Sequence, residues 1–323
     1  MTPGRRGRAR PKMALLFVAA TVVACAAPAV GASCIPAGAG SGLAVQAAAT
    51  SPIEMSGLGE RIATATEAAA ERGAHVTFAV LDRDTGARTI GGTDESIETA
   101  SVVKLFIADD VLFREGLGDI TLTAEDYDLI EHMLRSSDDS AAGLLWERHG
   151  GPEIVDRVVE RHSLTGTTAP ANGWWNTTTT ASDLLTWYDA LLSGDSGLDD
   201  EATARLVGHL MNFTPAGTDG YDQRFGLPDG LPAATDPGVK QGWMCCLDEQ
   251  WIHLSTGFFG EDHRYVVAVL SREAVTYGED SGREEWFLPD TALHDVTGDE
   301  SAQHARDTMT AVVEAVFGGT ADE

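Results

Sequence analysis

Hydrophobic and polar residues repeat with two different periods along the first third of the chain. Over 54–73, apolar residues recur every three to four positions, which predicts an amphipathic helix. Over 75–81, Val and Phe instead occupy every second position, and a turn at 82–86 leads into a second short run at 87–90. This pattern predicts a helix followed by a β-hairpin.

The rest of the chain divides into a helical block and a second set of strands. Helical periodicity marks 101–114, 124–135, 140–148, 152–162, 180–192 and 200–211. Strands are predicted at 239–246, 250–259 and 264–271, and a final helix at 302–317 after an acidic loop. Because short turns join most strands, we expect an antiparallel five-stranded sheet covered by the terminal helices, with an all-α part inserted. The fold class is therefore α/β (α+β).

One domain is predicted over 54–318. Its α/β part comprises 54–100 and 237–318, and its helical part comprises 101–236. The length of 323 residues supports one large domain with a full core.

The first 32 residues have the composition of an export signal. Five basic residues precede an apolar run at 13–24, which is too short to span a bilayer. Two interpretations stay open: cleavage after the small residues at 30–32, or a lipoprotein box whose Cys25 carries a lipid. Residues 33–53 are rich in Ala, Gly, Ser and Pro and are predicted to be a disordered tether. We expect an exported protein, either extracellular or in the cell envelope, with Cys25 as its possible membrane anchor.

Charge and cysteine content narrow the classes of partner. The net charge of −28 repels nucleic acid, so a nucleic-acid partner is not expected. The histidines have no metal-binding spacing, and neither a metal nor another cofactor is expected. Adjacent Cys245 and Cys246 are poorly placed to pair with each other, which leaves a bridge from Cys34 or burial as small apolar side chains.

Three short motifs carry the candidate chemistry: SVVK at 101–104, SDD at 137–139 and KQGW at 240–243. On a helix that begins near Ser101, Lys104 lies one turn further on, with Cβ atoms roughly 5–6 Å apart. A serine hydroxyl becomes nucleophilic when a base takes its proton, and a desolvated lysine can be that base. Taken alone, this pair is common by chance, and a serine cap before a solvated lysine is the simpler interpretation.

Together the motifs resemble those of class A β-lactamases and low-molecular-weight penicillin-binding proteins, which carry SxxK, SDN and KTG in this order. The resemblance covers roughly 54–318 and implies that family's fold. It implies that Ser101 is the acylated nucleophile, that Lys104 is its general base or proton relay, and that Ser137 passes the proton onward to the leaving group. It implies an oxyanion hole formed by backbone N–H groups of Ser101 and Trp243. The implied substrate-binding residues are Asp139, Lys240, Gln241, Gly242 and Trp243.

The chain departs from this family at three places. Asp139 stands where the family has Asn, so a side-chain amide donor is lost. Gln241 replaces the Thr whose hydroxyl contacts a substrate carboxylate. Residues 163–180 contain neither Glu nor Asp, although class A β-lactamases activate the deacylating water with a Glu in this region. Trp174 and Trp175 in that segment would either line a substrate groove or anchor the loop.

Two hypotheses about function follow. The first is a monomeric exported serine hydrolase, acylated at Ser101 by a β-lactam, a peptidoglycan-like peptide or a related amide or ester. Because a deacylating carboxylate is missing, we expect poor deacylation and weak or no β-lactamase turnover. The alternative is a non-catalytic protein of the same fold that binds a cell-wall ligand.

Overall fold

The computed structural model describes residues 55–233, 235–278, 280–283 and 287–318. The predicted signal and tether, together with Cys25 and Cys34, lie outside these ranges. All described residues belong to one compact unit. Within them, no helix has the length and apolar character that crossing a membrane would require.

Within the described residues, the eight longer helices and the five longer strands follow the order that the periodicity predicted, whereas a one-turn helix and two strands of two residues were not predicted. In chain order, the helices are α1 (Leu58–Glu71), α2 (Lys104–Gly116), α3 (Ala124–Arg135), α4 (Asp139–His149), α5 (Pro152–His162), α6 (Ala181–Ser193), α7 (Asp200–Met211), α8 (Leu227–Gly230) and α9 (Glu300–Phe317). The strands are β1 (Ala74–Asp82), β2 (Ala87–Gly91), β3 (Ile97–Glu98), β4 (Thr178–Thr179), β5 (Gly238–Leu247), β6 (Gln250–Phe259) and β7 (Tyr265–Ala274).

Five of these strands form one antiparallel sheet in the order β2-β1-β7-β6-β5. This confirms the predicted five-stranded sheet and the predicted fold class. β5 is an edge strand, so one row of its backbone N–H and C=O groups is free of sheet pairing. That free edge faces the segment that begins α2.

Helices cover both faces of the sheet, which explains why its central strands are buried on both sides. On one face, α1 and α9 pack through residues such as Ile62, Met309 and Val313 against Phe78 and Val267. On the other face, Phe106, Trp187 and Tyr188 of the helical block form a second apolar cluster with Leu254 and Phe258 of β6. Near-continuous apolar runs, as in β7, are typical of such doubly covered strands.

Two features differ from the sequence-based expectation. A two-stranded ladder joins β3 to β4 and pairs Ile97 with Thr179. Cys245 and Cys246 form a disulfide with each other, so the expectation that they pair badly was wrong. The peptide bond between them is cis, and their Cα atoms lie 3.0 Å apart.

Candidate active site

Ser101 and Lys104 lie at the junction of a 3-10 turn, Ala100–Val103, and α2. Lys104 Nζ donates to Ser101 Oγ at 2.8 Å. Both residues are buried, Ser101 being 5% exposed and Lys104 0%. Ala100 has a φ of 43°, a left-handed conformation that residues other than glycine rarely adopt and that is concentrated at functional sites. The pair is therefore a desolvated hydroxyl–amine contact, unlike a surface cap and a solvated lysine.

Ser137 links this pair to a second buried amine. It lies in the loop between α3 and α4, with a left-handed φ of 53°. Its carbonyl oxygen accepts from Lys104 Nζ at 2.6 Å, and its Oγ accepts from Lys240 Nζ at 2.9 Å. Asp138 fixes the next turn by accepting from the backbone N–H of Ala141 at the start of α4. A continuous hydrogen-bonded chain thus runs from Ser101 through Lys104 and Ser137 to Lys240.

Lys104 and Lys240 are both buried amines, and burial disfavours the charged form of an amine. Burial lowers the pKa of Lys104, and the charge and hydrogen bond of Asp139 act in the opposite direction. Burial lowers the pKa of Lys240 well below its ordinary value, and the neighbouring charge of Lys104 lowers it further. Asp139 Oδ1 accepts from Lys104 Nζ at 2.6 Å, while its own side chain is 74% exposed. Asp139 is therefore a solvent-exposed carboxylate that contacts the buried Lys104 amine.

The KQGW segment lies on the edge strand β5 beside Ser101. A Cβ added at Gly242 would lie 2.7 Å from the carbonyl oxygen of Thr99 and 3.3 Å from the backbone N of Ser101. Any side chain at Gly242 would therefore push β5 away from the nucleophile. Gln241 faces elsewhere: its Nε2 donates to the carbonyl oxygen of Gln223 at 3.0 Å. Its side chain is buried against the loop that precedes α8.

A pocket of about 340 Å³ opens in front of Ser101. Trp174, Trp175 and Trp243 contribute aromatic walls, and Trp174 also lies over Lys104, with Nζ 4.8 Å from the ring centroid. Both tryptophans of the 163–180 segment therefore line the groove. Of the predicted substrate-binding residues, Asp139 and Trp243 line this pocket, whereas Gln241 does not.

Sequence reasoning did not identify two further carboxylates of the pocket, Asp219 and Asp290. Both come from loops, where no periodicity marks the residues that face inward. The lysine content of the sequence is a further signal for the site. The chain has three lysines, Lys12, Lys104 and Lys240, and Lys12 lies in the predicted signal. The other two, Lys104 and Lys240, both lie in the candidate motifs, whereas the remaining basic residues of the domain are Arg and His.

The sequence is similar to that of named mycobacterial proteins. No known protein-family model matches the sequence. The chain is 48% identical over 219 residues to proteins named "Putative lipoprotein LppW" in Mycobacterium tuberculosis and Mycobacterium bovis. This match covers 67% of the present chain and 69% of those proteins.

Similar solved structures come from β-lactamases and a penicillin-binding protein. A β-lactamase from Xanthomonas campestris has a TM-score of 0.59 at 20% identity, covering 81% of this chain and 96% of its own. PBP-A, in an acyl-enzyme complex with penicillin G, has a TM-score of 0.59 at 16% identity, covering 82% and 98%. A class A β-lactamase from Mycobacterium abscessus has a TM-score of 0.54 at 20% identity, covering 81% and 100%. The chain therefore belongs to the family of the mycobacterial LppW proteins and has the fold of class A β-lactamases and penicillin-binding proteins.

Proposed function

We propose that the protein is an exported serine acyl-transfer enzyme whose nucleophile is Ser101. The observation that carries this proposal is the buried chain of hydrogen bonds that joins Ser101, Lys104, Ser137 and Lys240. Burial of a lysine amine costs free energy unless the amine is paired or neutral. A lysine that served only as a surface residue beside a serine would remain solvated. The name of the LppW relatives supports export with a lipid anchor, for which Cys25 is the candidate.

In the proposed acylation, neutral Lys104 takes the proton of the Ser101 hydroxyl as Oγ bonds to the acyl carbon of the substrate. The negative charge on the former carbonyl oxygen is stabilised by backbone N–H groups of Ser101 and Trp243. The acyl–nitrogen or acyl–oxygen bond then breaks, and the leaving group receives a proton through Ser137. Lys240 orients the Ser137 hydroxyl for this transfer, because its Nζ lies 2.9 Å from that Oγ.

Release of the acyl group by water is proposed to be slow. The 163–180 segment offers indole rings and amides beside Ser101, since Trp174, Trp175 and Asn176 line the pocket there. Neither group is a base strong enough to activate water. The acyl-enzyme should therefore accumulate, and turnover of a β-lactam should be weak or absent.

Intact-mass spectrometry tests this function. The protein is incubated with penicillin G, with a peptidoglycan-like acyl-D-Ala-D-Ala peptide, and with a p-nitrophenyl ester, and the adduct is followed over hours. We expect a stable adduct with at least one probe, which Ser101→Ala abolishes and Ser140→Ala retains. Ser140 is a suitable control because it is exposed on the adjacent helix α4.

The absence of an adduct that depends on Ser101 would contradict this proposal. If no probe forms an adduct, or if the adduct survives Ser101→Ala, the enzymatic proposal fails. The ion pair between Asp139 and Lys104 would then favour the non-catalytic alternative, because the Asp139 carboxylate opposes loss of the proton from the amine. Equal binding of a peptidoglycan fragment by the wild type and a Ser101→Ala, Lys104→Ala double variant would support that alternative.

A further inference from the structure

We propose that the pocket in front of Ser101 selects acyl donors that carry a positive charge and discriminates against those that carry a carboxylate. This inference rests on the proposed function and concerns the substrate class of the same site. Because Ser101 lines the pocket, an acyl donor that reacts with Ser101 must bind there. The charge of the pocket walls then favours some acyl donors over others.

Three carboxylates from three separate segments line the pocket. Asp139 begins α4, Asp219 lies in the loop after α7, and Asp290 lies in the loop before α9. Asp219 accepts from Trp243 Nε1 at 3.2 Å and from the backbone N–H of Tyr221 at 2.9 Å. Asp290 accepts from the backbone N–H of Ala292 at 2.8 Å. Neutral donors therefore orient Asp219 and Asp290 without compensating their charge.

The described lining residues include no Lys, Arg or His. The two nearby amines, Lys104 and Lys240, are buried behind Ser101, where both donate to oxygens of Ser137 and Lys104 also donates to Asp139. Gln241 is turned away as well, with its Nε2 hydrogen-bonded to backbone carbonyls. A substrate carboxylate would therefore enter a pocket with two uncompensated carboxylates, Asp219 and Asp290, and no cation among its described lining residues, while the third carboxylate, Asp139, is paired with buried Lys104. Juxtaposed like charges are a strong means of rejecting a ligand.

The aromatic walls provide an independent reason to expect a cation. Trp174, Trp175 and Trp243 line the same pocket; Trp174 already lies over Lys104 and Trp243 stacks on Tyr221, so Trp175, which is 46% exposed, offers the most accessible indole face. Indole faces attract cations, and cages of aromatic rings bind quaternary ammonium groups. Met244, Leu247 and the Cys245–Cys246 disulfide add apolar surface. The chemistry of the walls thus fits a compact acyl donor with an aliphatic stem and an ammonium group.

Three p-nitrophenyl esters with the same six-carbon acyl chain provide the test. The chain ends in a trimethylammonium group, in a methyl group or in a carboxylate, and acylation is measured from the nitrophenol burst at low ionic strength. We expect the ammonium ester to acylate Ser101 at least about tenfold faster than the carboxylate ester. This ratio should fall as salt is added, because salt screens charges near the surface.

Matched double variants assign the preference to the pocket. Asp219→Asn with Asp290→Asn removes two charges from the lining, whereas Asp222→Asn with Asp295→Asn removes two charges from the same loops outside it. The first pair should reduce the ammonium-to-carboxylate ratio by roughly tenfold, and the second should retain most of it. A faster carboxylate ester, or a ratio equally reduced by both pairs, would overturn the inference.

The neutral ester separates this inference from the proposed function. If the neutral ester labels Ser101 but the charge preference is absent, the inference fails while the proposed function stands. If no ester reacts, the proposed function fails, and the charge preference is measured by calorimetry on Ser101→Ala with the unreactive amides of the three chains. Tighter binding of the carboxylate amide would then overturn the inference as well.

Discussion

At the scale of single residues, the site depends on how Lys104 is held. Its amine lies within hydrogen-bonding distance of four oxygens, belonging to Ser101, Ser137 (carbonyl and hydroxyl) and Asp139. An ammonium has three hydrogens, so these oxygens compete for it. Burial lowers the pKa of Lys104, and Asp139 counteracts this effect. The balance decides at which pH the amine becomes a base.

Replacing Asp139 tests that balance. Asp139→Asn removes the charge that raises the pKa of Lys104, so this pKa should fall. Since acylation needs the neutral amine, the acid limb of the acylation rate should move to lower pH. NMR with ε-¹⁵N-lysine can follow the same change, because Lys104 and Lys240 are the lysines of residues 55–323. Asp128→Asn, an exposed charge on α3, should leave the limb in place. An unmoved or raised limb in Asp139→Asn would contradict this account.

The sequence predicted the residues that form the reactive chain, but not the direction of their neighbours. Ser101, Lys104, Ser137 and Lys240 could be recognised because their three short motifs occur in the order of the family that they resemble. The burial of Gln241 could not, since a strand position does not reveal which loop will cover its side chain. Asp219 and Asp290 come together with the site through tertiary folding alone, and the sequence carries no local signal for that.

At the scale of elements, the segment 163–180 is fastened at both ends. Asp183 on α6 accepts from the backbone N–H groups of Thr165 and Gly166 and from the hydroxyl of Thr167. At the other end, β4 pairs with β3, and the backbone N–H of Thr99 donates to the carbonyl oxygen of Thr177 at 2.7 Å. These contacts hold Trp174 beside Lys104. Strands of two residues have no period to detect, which is why β3 and β4 were not predicted.

Removing the side chain of Asp183 should release this segment. Asp183→Ala leaves three donors without their acceptor, and we expect a loss of about 3 kcal/mol in the free energy of unfolding. Asp183→Asn should lose less, because its amide oxygen still accepts. Urea denaturation gives the free energy, and hydrogen exchange should increase over 165–180. Asp195→Ala, an exposed position after α6, should change stability by less than about 0.5 kcal/mol. Equal stability of Asp183→Ala and the wild type would refute this role.

At the scale of the whole molecule, a buried carboxyl lies between the sheet and its C-terminal helix. Glu273 on β7 is 1% exposed, and its Oε1 accepts from Thr308 Oγ1 at 3.2 Å and contacts Nδ1 of His304 on α9. Its Oε2 has no hydrogen-bond partner within the described residues. Burial raises the pKa of Glu273 to about 7, above its ordinary value of 4.5. This helix-to-sheet contact is therefore sensitive to pH.

The stability of the fold should reflect this carboxyl. The folded state binds the proton more tightly, so the contribution is fully present below pH 4.5 and is lost as pH rises through about 7. Relative to Glu273→Gln, the wild type should lose up to about 3 kcal/mol between these limits. Urea denaturation at pH 5 and pH 8 measures the difference, with Glu314→Gln on the exposed face of α9 as control. An identical pH dependence for the wild type and Glu273→Gln would contradict the prediction.

The central claim is that Ser101 is a nucleophile activated by Lys104. Its most direct test is tandem mass spectrometry of the protein after a short exposure to the neutral p-nitrophenyl ester, with the rate of labelling compared between the wild type and Lys104→Ala. We predict that the acyl group maps to Ser101 and that Lys104→Ala labels ~10²–10⁴-fold more slowly. An acyl group on another residue, or an equal rate in Lys104→Ala, would contradict the claim.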